Sequence, residues 1–101
     1  MSNTIILATA KNLVRLTRTL NLDPMNDSDD QLVLLHCFRN MVDMLQINGE
    51  HAEHIEPLME LSYKASNLIG QREEPRAELS ELYEQIDEQI NDLWLATFDN
   101  N

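Results

Sequence analysis

The stretch with the most ligating chemistry is Glu50-His51-Ala52-Glu53-His54. On a helix, His51 and His54 would share a face, and Glu50 or Glu53 could complete a divalent-metal site. Zinc, however, needs three or four protein ligands. No other histidine lies nearby in the sequence, and the single cysteine, Cys37, falls on an apolar stripe. The segment is therefore expected to be an exposed connection with no metal and no cofactor. Cys37 itself could act as a nucleophile only with its pKa lowered by a neighbouring cation. Its sequence neighbours His36 and Arg39 project elsewhere on a helix, so Cys37 is expected to be a small apolar residue of the core.

Carboxylates offer a second chemistry. Glu53-x-x-Glu56 and Glu84-x-x-Asp87 are paired acids at helical spacing, and oxygen pairs of this kind hold Mg²⁺ against substrate phosphates. In outline they resemble the all-α nucleotide pyrophosphohydrolases. That resemblance implies Mg²⁺-dependent hydrolysis on a four-helix bundle, with Glu84 essential. The sequence departs from the pattern in two places. Glu56 precedes Pro57, which interrupts a regular helix, and no basic residue flanks the second pair to meet phosphate. A chain with 18 acidic residues also produces such spacings by chance. No residue is assigned a catalytic role, and the hydrolase stands as the alternative reading.

The acids are unevenly placed. Residues 1–20 hold Lys11, Arg15 and Arg18 and no acid, whereas residues 71–101 hold most of the acids of the C-terminal half. Glu81, Glu84, Glu88 and Asp92 recur at three- and four-residue steps. Like charges four residues apart cost about 0.2–0.5 kcal/mol per pair in an isolated helix. The basic first helix, packed nearby, could relieve them. Otherwise the stripe suits a basic partner. Its carboxylates, about 6 Å apart along a helix, would imitate the phosphates of a nucleic-acid strand.

These residues need elements to position them, and the apolar periods predict four helices. The first spans about residues 3–20, on Ile6, Ala10, Leu13, Leu16 and Leu20, and stops before Asp23-Pro24. The second spans about 29–47, opening on the capping-box spacing of Ser28 and Gln31 and stopping at Asn48-Gly49. Its apolar face is wide and its polar strip, His36, Arg39, Asn40 and Asp43, is narrow. The third is expected over 57–69, with Pro57 at its first position and Gly70 ending it. The fourth covers 75–96, on Leu79, Leu82, Tyr83, Ile86, Ile90 and Leu93. The connections are short, so one domain over 1–101 is expected to be an all-α antiparallel bundle.

Two further features bear on binding. Trp94, between Leu93 and Leu95, is either a core plug or a binding anchor. Met41 and Met44 are either core or an adaptable docking surface. The net charge of -11 opposes direct binding to nucleic acid or anionic lipid. One cysteine and no apolar segment long enough to span a bilayer fit a cytoplasmic protein. The function expected is non-enzymatic: a regulator or inhibitor that masks a surface of a protein partner. Glu81, Glu84, Glu88, Asp92, Trp94, Met41 and Met44 would make the contacts. A homodimer through the second or fourth helix, or a purely structural homo-oligomer, is the remaining expectation.

Overall fold

The structure, a computed structural model, describes residues 3–26, 28–45, 52–71 and 75–98. Four α-helices carry them: α1 (Asn3–Leu22), α2 (Ser28–Asp43), α3 (Ala52–Gln71) and α4 (Arg76–Phe98). Each packs on the next in chain order, and α4 closes the ring against α1. The result is an all-α four-helix bundle, about 44 × 20 × 19 Å. The diagonal pairs do not pack as backbones, and the α2–α3 seam is the sparsest of the four.

Most of the stripes expected from the period face inward; the exception is Leu16 of α1, 48% exposed, because the core side of α1 runs through Ile6, Leu7, Ala10, Val14 and Thr17. Leu35 and Phe38 of α2, Leu58 of α3, and Ile86, Ile90 and Leu93 of α4 are at most 2% exposed. Burying one such side chain contributes about 1.5–3 kcal/mol. Tyr83 is completely buried and crosses the interior from α4 to α2. There its hydroxyl donates to Gln31 Oε1 at 2.8 Å. Burial pushes the phenol above its ordinary pKa of 10.0. Gln31 Nε2 in turn donates to Asn26 Oδ1 at 3.2 Å.

That inward position of Gln31 corrects the capping-box expectation. Gln31 lies on the same side of α2 as Leu35, Phe38 and Val42, so both ends of its amide serve Tyr83 and Asn26 rather than the start of the helix. The turn before α2 follows the sequence more closely. Asn26 N–H donates to the Asp23 carbonyl at 3.0 Å, and Met25 N–H donates to Asp23 Oδ1 at 2.9 Å. Asp at the first position and Pro24 at the second are the residues such a turn favours.

The other boundaries shift for identifiable reasons. The α-ladder of α2 stops at Asp43. Met44 N–H and Leu45 N–H then donate to Met41 and Val42 carbonyls at 3.1 Å, the three-residue bonding that tightens a last turn. Asn48-Gly49 lies outside the described residues. Helix α3 begins five residues before Pro57, which therefore sits inside it. Proline there removes one hydrogen bond, to the Glu53 carbonyl, just after the first turn, whose N–H groups have no helical partner in any case. Ile55, packed against the core, holds the extra turn. Gly70 falls within the last turn of α3 rather than after it.

Candidate interaction surfaces

Helix α4 presents Glu81, Glu84, Glu88 and Asp92 on one outward face, all exposed. They follow the i, i+3, i+7, i+11 progression that lines one side of a helix, over about 16 Å. Among the described residues, none of the four has a cation within ion-pair distance. The relief expected from α1 goes elsewhere. Arg18 Nη1 reaches Asp87 Oδ2 at 3.3 Å, on the flank of α4 that meets α1. Asp87 Oδ1 is buried without a hydrogen-bond partner. A pair with Arg18 side-chain exposure of 42% adds little stability. The like-charge repulsions at Glu84–Glu88 and Glu88–Asp92 therefore stand.

Glu81 also borders a groove of about 440 Å³ between α3 and α4. Leu68 and Leu82 line it together with Lys64, Glu78 and Gln85. A smaller recess of about 180 Å³ lies between α1 and α4, where Arg18, Leu22, Ser80, Tyr83 and Glu84 meet. Beside it, the Asn21 amide is 2% exposed. It donates to the Arg76 carbonyl at 3.0 Å and to Ser80 Oγ at 3.1 Å, so α1 holds the first turn of α4.

The remaining candidates do not join the α4 stripe. Trp94 is half-buried and packs against the core, as does Met41. Met44 is 46% exposed at the far end of α2, and α2 lies diagonally across the bundle from α4. The acidic residues and the methionines thus belong to separate surfaces.

Arg39 was expected in the solvent strip of α2. It instead crosses to α3, where Nη1 donates to Ser66 Oγ at 3.0 Å and to the Ser62 carbonyl at 3.3 Å. Its guanidinium lies 4.5 Å from the centre of the Tyr63 ring, a cation–π distance. Position 39 is on the flank of α2 rather than its outer face, so a long side chain there reaches the neighbouring helix.

The paired carboxylates do not assemble. Glu53 and Glu56 do share α3, both exposed, because the helix runs through Pro57. Glu84 faces solvent while Asp87 is turned to α1. Glu50 and His51 lie outside the described residues; His54 Nε2 is 3.9 Å from Glu53 Oε1. Among the described residues, no three of His, Cys, Asp or Glu converge where a metal could be held, and no helix is long and apolar enough to cross a membrane. No protein-family model matches the chain, and no curated protein or solved structure matches it either.

Proposed function

We propose that this is a non-enzymatic binding protein of the cytoplasm that regulates or inhibits a basic protein partner by covering part of its surface with the outward face of α4. The single observation behind this reading is that Glu81, Glu84, Glu88 and Asp92 stand exposed in a row with no cation in reach among the described residues. Folding alone does not call for such a row, since its repulsions oppose the helix. In a partner's interface the same charges steer encounter and fix orientation. A partner that itself handles nucleic acid fits best, because the spacing of the row approximates that of strand phosphates.

The test compares the wild type with E81Q/E84Q/E88Q/D92N as bait in a lysate of the native host, at low salt and at about 0.5 M salt. The expected result is a basic protein held by the wild type and released by salt, by the substitutions and by competing nucleic acid. Equal retention by both baits would overturn the reading.

A further inference from the structure

A different surface carries little charge. Arg39 marks the flank of α2 that meets α3, and Arg18 marks the flank of α1 that meets α4. The opposite flanks therefore face each other across the α1–α2 seam. On α1 this outer flank carries Ile5, Thr9, Asn12 and Leu16; on α2 it carries Val33 and Cys37, with Met44 just past the end of the helix. Cys37 is half-buried here rather than in the core as the sequence suggests. Ile5 is 55% exposed, Leu16 48%, Val33 61% and Met44 46%. Among the described residues, Asp30, near the turn, is the one charged residue on these flanks.

The apolar residues fall into two pairs. The two helices run antiparallel from the turn at 23–26, rising about 1.5 Å per residue. Leu16 and Val33 thus lie at nearly one height, about 8–9 Å from the turn, and Ile5 and Met44 share another, about 25 Å from it. Cys37 lies within about 3 Å of the midpoint between them.

We propose that this face joins two copies of the chain about a twofold axis lying across the helices. Ile5 and Met44 of one copy then meet Leu16 and Val33 of the other. The pattern is self-complementary, as a twofold interface requires. A chain of net charge -11 can meet itself here without opposing its α4 stripes, which point elsewhere. Two adjacent helices present a face about 20 Å wide, and the seam from Ile5 to Leu20 is about 22 Å long. Two such faces remove on the order of 1,000 Å² from water, the lower bound for a specific interface.

Light scattering and sedimentation on the full chain, up to about 1 mM, test this. The wild type is expected at twice the chain mass, and a short bismaleimide is expected to link Cys37 to Cys37 of the second copy. L16E/V33E and I5E/M44E, checked for helical content, should each dissociate at least 100-fold more readily and lose the cross-link. E81Q/E84Q/E88Q/D92N should remain dimeric, which separates this interface from the α4 docking face. A wild type that stays monomeric to the highest concentration, or a dimer that survives both glutamate variants, would overturn the proposal.

Discussion

Helices α2 and α4 lie diagonally across the same core, and their inner faces obey the same rule while their outer faces do not. Inside, both are closely packed: Leu35 and Phe38 on one, Ile86 and Ile90 on the other. Outside, α4 is a row of carboxylates that repel one another. The outer flank of α2 toward α1 is nearly free of charge and exposes Val33 and Met44. Burial explains the inner faces completely. It explains neither outer face, and the two contacts proposed above lie there. The difference also separates the two proposed contacts. A charged row attracts at a distance and weakens with salt, whereas an apolar face acts only on contact and resists salt.

The sharpest way to break this contrast is to compare neighbours across one helix. Leu35→Ala is expected to cost about 2–5 kcal/mol, and Val33→Ala, two residues away on the outer face, should stay within about 0.5 kcal/mol. Urea unfolding of both variants checks it. A large loss at Val33 would mean that the outer face is structural. On α4 the two faces should respond with opposite signs. Tyr83→Phe leaves the buried Gln31 carbonyl oxygen without its donor and is expected to destabilise by about 1–3 kcal/mol. Glu88→Gln removes repulsion from Glu84 and from Asp92, and should stabilise by about 0.4–1 kcal/mol at low salt, a gain that shrinks in 1 M salt. Thermal melts at two ionic strengths read both. No gain at Glu88 would remove the strain on which the α4 argument rests.

The helices were legible in the sequence because an apolar period of 3.6 reports directly on which side is buried. The exposure of Glu81, Glu84, Glu88 and Asp92 followed from the same period. What the period does not carry is the identity of the neighbour on each flank. Arg39 and Arg18 occupy flank positions, and only the order of helices around the bundle decides that one meets Ser66 and the other Asp87. Gln31 was misread because its spacing from Ser28 fits a cap as well as a core position, and only the depth of Tyr83 distinguishes them. Pro57 was misread because proline favours a first turn, yet tolerates a second one when Ile55 anchors it. The α1–α2 face was half visible, as an over-wide apolar face on α2. Its other half lies on α1 and became apparent only once the two helices were side by side.

The hydrogen bond from Tyr83 to Gln31 has one more consequence. A slip of α4 by one turn, about 5.4 Å, would keep some apolar residues on the core side while carrying Tyr83 away from Gln31. A slipped α4 would leave a phenol hydroxyl and an amide stranded in hydrocarbon. The pair thus acts as a key cut for a single height, alongside the Asn21 bonds to the first turn of α4. Its contribution is to uniqueness more than to strength. The outward row of acids keeps a fixed position relative to the rest of the molecule because of a bond buried on the opposite side of the same helix.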